Sequence, residues 1–166
     1  MMKSNIYIDL DGVIIDTVDR IKSLKNSYPE LSWEEFSKKV EWDKFLKESP
    51  IINDGISFIK ESIDKNIVII TKTNCLEEQI AKINYLRGLG INNLIIVIPP
   101  KLWKTDFVVP KSNDFLIDDN YENILDWNEK GGKGILFQLD DKYKDCISIN
   151  NLKDIITIIE EWYYGK

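Results

Sequence analysis

The sequence predicts an α/β protein built on a doubly wound parallel sheet, with a small helical insertion after the first strand. Short apolar runs rich in Ile and Val alternate with amphipathic stretches of helical spacing, which is typical of a parallel sheet covered by helices. Roughly sixty residues separate the first two apolar runs, far more than one crossover helix requires. The 166 residues are enough for one domain with such an appended element.

Five apolar runs, each bounded by polar residues, Gly or Pro, are predicted to be buried strands. Four other stretches repeat apolar side chains at helical spacing and are predicted to be helices. The predicted strands cover residues 6–8, 67–70, 94–98, 115–117 and 134–137, and the predicted helices cover 55–64, 75–87, 120–129 and 151–163. The helix over 75–87 carries Leu76, Ile80, Ile83 and Leu86 as its apolar residues, and Gly88 and Gly90 are expected to end it.

Residues 18–50 are predicted to form the helical insertion, and residues 1–17 together with 51–166 the core domain. Ser32 to Glu35 has the pattern of a capping box, which predicts a helix beginning directly after Ser32. Asp16 is expected to cap the helix that enters the insertion. Four aromatic residues of the insertion either pack it onto the sheet domain or line a substrate pocket; they are Trp33, Phe36, Trp42 and Phe45.

The composition argues against several classes of function. The 22 basic and 28 acidic residues give a formal charge of −6, which disfavours docking on long nucleic acid. The absence of His excludes mechanisms of the Ser-His and Cys-His type. We expect a cytoplasmic protein without a membrane partner, because no apolar run approaches the ~20 residues of a span and the N-terminus resembles no signal peptide. A small anionic substrate stays compatible with the charge, since a bound cation reverses the local field.

Two acids, Asp9 and Asp11, follow the first predicted strand in the stretch NIYIDLDG. Residues two apart on a strand share a face, and ligands bind at the carboxyl ends of the strands in open α/β sheets. Gly12 permits a tight turn and a close backbone approach at this point. Taken alone, an Asp-x-Asp-Gly turn is equally compatible with solvated acids.

Two further predicted strands end in polar side chains. The second strand ends at Thr71, and the fourth ends at the adjacent acids Asp118 and Asp119. Adjacent carboxylates at the end of a buried strand repel each other and resist desolvation, and a helix N-cap accounts for Asp119 but not for Asp118. In a doubly wound sheet these side chains meet the first acid pair at one edge. Such an acid cluster is typical of a Mg²⁺ site with room for a phosphate oxygen, so the sequence predicts a phosphoryl-transfer site.

In this order the motifs resemble those of the haloacid dehalogenase-type phosphatases: a strand then Asp-x-Asp, a strand then Thr or Ser, a Lys, and an acidic pair. They read here as IDLDGV, IIT, a Lys within residues 101–111, and IDD, and they span most of the chain. Within that family the stretches DLDGVIID, ESPIINDGISFIKE and DFLIDDN look most like the 5′(3′)-deoxyribonucleotidase-type members. The resemblance implies a Rossmann-like core with the insertion as a cap over the strand ends.

The resemblance also implies a role for each motif residue. Asp9 would be the nucleophile that forms an aspartyl-phosphate, and Asp11 would protonate the leaving oxygen and then activate water. Mg²⁺ would bind a carboxylate oxygen of Asp9, the main-chain carbonyl of Asp11, and Asp118. Thr71 and the backbone N–H of Lys72 would hold the phosphoryl oxygens.

The phosphate-binding lysine is less clearly defined by the sequence. The family pattern favours Lys104, ahead of a short apolar run, but its interval to the acidic pair is longer than the pattern suggests, and Lys101 and Lys111 compete with it. Asp119 is expected to orient the site or to cap the helix that follows.

The predicted activity is hydrolysis of a small phosphomonoester. A nucleoside monophosphate is favoured, because an aromatic residue of the insertion could stack on its base. A sugar-phosphate phosphatase or mutase and a polynucleotide 3′-phosphatase are alternatives, the last disfavoured by the acidic balance. Outside the enzymes, a receiver-like signalling module shares the acidic pair, Thr, Lys and Mg²⁺, but it lacks a long insertion after the first strand.

Overall fold

Six strands form one parallel sheet in the structure, a computed structural model that describes residues 4–140 and 142–165. They are β1 (Asn5–Ile8), β2 (Asn66–Lys72), β3 (Leu94–Ile98), β4 (Phe115–Asp118), β5 (Lys133–Phe137) and β6 (Ser148–Ile149). Their order is β3-β2-β1-β4-β5-β6, and each neighbouring pair is parallel. The predicted fold class and the five predicted strands are confirmed. Strand β6 was not predicted, because a strand of two residues shows no pattern.

The helices of the described residues are α1 (Val18–Asn26), α2 (Trp33–Ser37), α3 (Trp42–Lys47), α4 (Gly55–Glu61), α5 (Leu76–Gly88), α6 (Tyr121–Glu129) and α7 (Asp154–Tyr164). The four predicted core helices are found as α4 to α7, with ends that differ by a few residues. Gly88 closes α5, Leu89 is the C-cap, and Gly90 follows with φ 80°, so only Gly90 takes the left-handed conformation that ends a helix. Within the described ranges, none of the helices has the length and apolarity to cross a membrane.

Two buried clusters cover the opposite faces of the sheet, since alternate residues of a strand point to opposite sides. Ile6 and Ile8 of β1 join one cluster with apolar side chains of α3, α4, α5 and α7. Tyr7 joins the other with Ile124 and Trp127 of α6. Both faces are therefore buried, which explains why the strands read as continuous apolar runs.

Helices α1 to α3 lie in the segment predicted as the insertion. The predicted capping box is present, because the Ser32 hydroxyl accepts from the N–H of Glu35 and the Glu35 carboxylate accepts from the N–H of Ser32. The chain leaves and re-enters the sheet domain at adjacent points, where the N–H of Ile52 donates to the carbonyl of Ile14 at 2.9 Å. Helix α3 packs against α5, which joins the insertion to one side of the sheet domain.

The prediction that Asp16 caps α1 is wrong. The N-cap residue is Thr17, and Asp16 is exposed, with its N–H donating to the carbonyl of Pro50 at 2.8 Å. The Thr17 hydroxyl does not cap the helix either, because it donates to a carboxylate oxygen of Asp11. The side chain at the N-cap position of α1 thus stabilises the acid pair rather than the helix.

Candidate active site

The carboxyl ends of β1, β2 and β4 meet at the centre of the sheet. Ile8 pairs with Ile69 on β2 and with Ile117 on β4, so Asp9 lies one residue further on, level with Asp118. Neighbouring strands are about 4.8 Å apart, and acids from separate motifs therefore come together. Strand order reverses beside β1, and such a switch point is where open α/β sheets bind ligands.

Lys104 joins these two acids. Its Nζ lies 2.8 Å from Asp9 Oδ1 and 2.5 Å from Asp118 Oδ2, and its side chain is buried. Burial alone would lower the pKa of Lys104, but the carboxylates of Asp118 and Asp9 raise it to about 12, so the ammonium stays charged. Of the three candidate lysines this one reaches the acids, whereas Lys101 and Lys111 are exposed.

Asp118 is fully buried and accepts from two further donors. Asn123 Nδ2 donates to Oδ2 at 2.9 Å, and the N–H of Asn120 donates to Oδ1 at 2.8 Å. Asn120 is also the N-cap of α6, since its side chain accepts from N–H groups of the first turn. The capping role considered for Asp119 therefore belongs to Asn120, and the orienting role is the remaining expectation for Asp119.

Asp9, Asp118 and Asp119 each place a carboxylate oxygen within 4.8 Å of the others. Burial raises the pKa of Asp9 to about 7, because it outweighs the attraction of Lys104 and is reinforced by the neighbouring acids. Burial and the charge of Asp9 likewise raise the pKa of Asp119 to about 8. The single ammonium of Lys104 does not neutralise these three acids. The carboxylate oxygens of the cluster are hard donors of the kind that bind a Mg²⁺ ion.

Gly12 lets Asp119 approach the turn that follows β1. Its φ is 74°, a conformation that side-chain-bearing residues rarely adopt, and a Cβ at this position would lie 2.3 Å from Asp119 Oδ2. The N–H of Gly12 donates to the carbonyl of Ile15 at 2.8 Å, which closes the turn. Both the turn and the packing of the acid therefore require glycine.

Asp11 is held by three donors from three different elements. Lys82 Nζ lies 2.7 Å from Oδ2, the Thr17 hydroxyl donates to Oδ1 at 2.7 Å, and the Thr71 hydroxyl donates to Oδ2 at 3.2 Å. Burial raises the pKa of Asp11, but the charge of Lys82 and these hydrogen bonds outweigh it and hold the pKa below its usual value. The second acid of the motif is thus ionised and fixed in orientation.

Lys82 and Glu78, both on α5, are site residues that the sequence did not predict. Lys82 Nζ lies 2.7 Å from Glu78 Oε1 and donates to the carbonyl of Lys72 at 2.9 Å. The ring of Trp42, from α3, lies beside the same ammonium at 6.0 Å from ring centroid to Nζ. A Glu and a Lys four residues apart usually form a solvent-facing pair on a helix, so this spacing gave no sign of burial. Asn123 belongs to no motif either.

A cavity of about 950 Å³ opens beside the acid cluster. Asp9, Asp11 and Lys104 line its inner wall, where Asp9 and Lys104 are buried, and Tyr121 and Tyr143, which also line it, are partly exposed. Lys72 also lines it; burial and the charge of Lys104 lower the pKa of the Lys72 side chain. The predicted nucleophile and its neighbours therefore face a space large enough for a small ligand.

The four aromatic residues considered for a substrate pocket do not line this cavity. Trp42 and Phe45 are buried in the core on the α5 side of the sheet, Phe36 is buried within the insertion, and Trp33 is exposed. Phe36 and Phe45 border a separate groove of about 630 Å³ on the insertion. The placement of these side chains favours the packing role over the substrate-pocket role.

No protein-family model and no curated protein matches the sequence. Solved structures do match the fold. A HAD-superfamily hydrolase, subfamily IA, variant 1, from Geobacter sulfurreducens superposes with a TM-score of 0.63 at 11% identity, covering 94% of this chain and 99% of that chain. A haloacid dehalogenase-like family hydrolase from Xanthomonas campestris gives 0.63 at 14% identity, covering 98% and 94%. A HAD-superfamily hydrolase from Ehrlichia chaffeensis gives 0.58 at 14% identity, covering 98% and 100%. The chain therefore has, over nearly its whole length, the fold of the haloacid dehalogenase-type hydrolases.

Proposed function

We propose that the protein is a Mg²⁺-dependent phosphatase that hydrolyses a small phosphomonoester through a phosphorylated Asp9. The observation that carries this proposal is the pairing of Asp9 and Asp118 through the buried ammonium of Lys104, at the inner wall of the cavity. Such a site offers a carboxylate nucleophile, a fixed positive charge for a phosphoryl group, and acids that need a further cation. The fold shared with known hydrolases supports the same reaction class.

Two groups of this chain perform the covalent steps. Asp11, which is ionised in the protein without substrate, first takes up a proton from water. A carboxylate oxygen of Asp9 attacks phosphorus, the bond from phosphorus to the leaving oxygen breaks, and Asp11 gives that oxygen its proton. Asp11 then takes a proton from water, whose oxygen attacks phosphorus and releases inorganic phosphate and the Asp9 carboxylate. Lys82 and Thr17 keep the Asp11 carboxyl in this position, which leaves the Thr71 hydroxyl free to turn from Asp11 to the phosphoryl group.

Charge on the phosphoryl oxygens is balanced by several groups. The hydroxyl of Thr71 and the N–H of Lys72 would donate to these oxygens, and Lys104 would attract them. A Mg²⁺ ion would be held by the carboxylates of Asp9 and Asp118 and by the main-chain carbonyl of Asp11. When bound, it neutralises charge that develops on the phosphoryl group.

The substrate class we propose is a nucleoside monophosphate. The cavity of about 950 Å³ lies within the usual size of small-ligand sites. The formal charge of −6 disfavours a polynucleotide, whose binding needs a basic surface.

The strand order favours an enzyme over a receiver-like module. Receiver domains have the flavodoxin-like order 2-1-3-4-5, whereas this sheet has the order 3-2-1-4-5-6. The acid pair also follows the first strand here, and α1 to α3 separate that strand from the second.

The test is phosphate release from nucleoside monophosphates and sugar phosphates, with Mg²⁺ and with a chelator. We expect turnover only with Mg²⁺, and none from Asp9→Asn, whose folding is checked by its unfolding transition. Lys104→Met and Lys111→Met form a matched pair from one segment, the first lysine buried and the second exposed. Lys104→Met should lower activity by at least about 100-fold, which is the usual contribution of one electrostatic donor, and Lys111→Met should leave it unchanged. Turnover by Asp9→Asn, or no release from any substrate by the wild type, would refute the proposal.

A further inference from the structure

We propose that the ring of Tyr121, supported by Tyr143, receives the leaving group of the substrate, and that this group carries a planar, uncharged ring, as the base of a nucleoside does. The inference rests on the proposed phosphatase function and adds to it the residues that select the substrate. Base recognition is thereby assigned to the start of α6 and to the connection from β5 to β6, and not to the aromatic residues of the helical insertion.

Both tyrosines line the cavity that holds the acid cluster. Tyr121 is the first residue of α6, three residues after Asp118, and it lines the same cavity as Asp118 and Asp9. Tyr143 belongs to the connection from β5 to β6 and lines the same cavity. A leaving group that extends from a phosphate on Asp9 therefore meets these rings.

The two rings form a preorganised stacking surface. Their centroids lie 4.3 Å apart with planes 4° from parallel, so Tyr143 covers one face of Tyr121. The Tyr121 hydroxyl donates to Asp145 Oδ2 at 2.5 Å. Gln138 holds the backbone of Tyr143, because its side-chain amide donates to the carbonyl of Tyr143 at 2.9 Å and accepts from its N–H at 3.2 Å. Lys142 Nζ lies over the Tyr143 ring, 5.0 Å from its centroid, so both faces of that ring have a neighbour. A ligand would therefore stack on the face of Tyr121 that Tyr143 does not cover.

The charges of the outer cavity select against a second anionic group. Outside the acids Asp9, Asp11, Asp118 and Asp119 and the lysine that joins them, Lys104, four of the described lining residues are acidic and three are basic. The acids are Asp16, Asp19, Glu122 and Asp140, and the bases are Lys22, Lys72 and Lys142. A sugar bisphosphate or an acidic leaving group would meet net repulsion there, whereas an uncharged base would gain stacking on a sequence-tolerant aromatic face.

The experiment compares two substrates that differ only in the base, uridine 5′-monophosphate and ribose 5-phosphate, by the ratio of their kcat/KM values. Tyr121→Leu removes the ring, Tyr121→Phe keeps it without the hydroxyl, and Tyr164→Leu makes the same change at an exposed tyrosine on α7. Trp33→Leu tests recognition by the insertion.

We expect the ratio of uridine 5′-monophosphate to ribose 5-phosphate to fall at least about fivefold in Tyr121→Leu, the lower end of what one lost stacking face costs. The ratio should stay near the wild-type value in Tyr121→Phe, Trp33→Leu and Tyr164→Leu. An unchanged ratio in Tyr121→Leu, or a fall in Trp33→Leu, overturns the inference while leaving the phosphatase in place. Hydrolysis of ribose 5-phosphate without hydrolysis of uridine 5′-monophosphate would also overturn the inference about Tyr121, and the phosphatase function would stand. If the wild type releases phosphate from neither these nor other phosphomonoesters, the proposed function itself fails.

Discussion

Replacing Lys82 with Met should destabilise the protein strongly, because two carboxylates would lose their shared counter-charge. The Lys82 side chain is 2% exposed, and its Nζ lies 2.7 Å from Asp11 Oδ2 and 2.7 Å from Glu78 Oε1. Removing one partner of a buried ion pair costs about 3–5 kcal/mol. For a domain of this size each kcal/mol lowers Tm by about 2–4 °C, so Lys82→Met should lower Tm by roughly 6–20 °C.

The chain contains a matched control for this experiment. Lys38 and Glu34 also stand four residues apart, with 2.9 Å between Nζ and Oε1, but their side chains are 53% and 61% exposed. Lys38→Met should therefore cost less than about 1 kcal/mol. Urea unfolding, followed by tryptophan fluorescence, gives the free energy of unfolding of both variants. Adding Glu78→Gln to Lys82→Met should restore part of the lost stability, because it removes an unpaired charge. If Lys82→Met cost no more than Lys38→Met, the ion pairs would not hold Asp11 as described.

Three further outcomes are expected from the acid cluster. Mg²⁺ at ~100 times its Kd should stabilise the wild type by roughly 2.7 kcal/mol, which is measured as a rise in Tm. Asp118→Asn should not show this rise. An equal rise in that variant would show that Asp118 is not a ligand of the ion. Gly12→Ala should lower stability by about 1–3 kcal/mol in denaturant unfolding, since its backbone is left-handed and its Cβ would meet Asp119; a neutral result would contradict the turn geometry. Without metal, Tm should fall as pH rises from about 5 to 8, because the pKa of Asp9 (about 7) and of Asp119 (about 8) lie above their values in the unfolded chain. Folding therefore favours the protonated acids, and this stability is lost as pH rises through those pKa values. A Tm that rises with pH over this window would refute the raised pKa values.

The sheet could be predicted from the sequence because its strands are buried on both faces. Burial on both sides leaves continuous apolar runs, and the polar residues that end three of these runs marked one edge of the sheet. The acids Asp9, Asp11 and Asp118 and the hydroxyl of Thr71 were placed there by that reasoning alone, and the structure brings them together.

The buried face of α5 could not be predicted in the same way. Its helical spacing was recognised, but Leu76 and Ile80 are exposed, whereas Glu78 and Lys82 are buried. Apolar periodicity assumes that charged side chains face water. Here the carboxylate of Asp11 draws an ammonium inward, and a contact between residues so far apart in sequence leaves no periodic signal.

Lys104 illustrates a second limit of the sequence. Three lysines lie in the connection between β3 and β4, which has no periodicity from which their orientation follows. The path of this segment buries Lys104 and leaves Lys101 and Lys111 exposed. Tertiary packing rather than spacing decides which ammonium reaches Asp9 and Asp118.

The proposed mechanism depends on phosphorylation of Asp9, and trapping that phosphate tests it directly. Enzyme turning over substrate with Mg²⁺ is quenched in acid and treated with borohydride, which reduces an acyl phosphate to an alcohol. Peptide mass spectrometry then locates the reduced side chain. We expect it at position 9, dependent on both substrate and Mg²⁺, and absent from Asp9→Asn. Reduction at a different carboxyl group, or none during active turnover, would contradict the account.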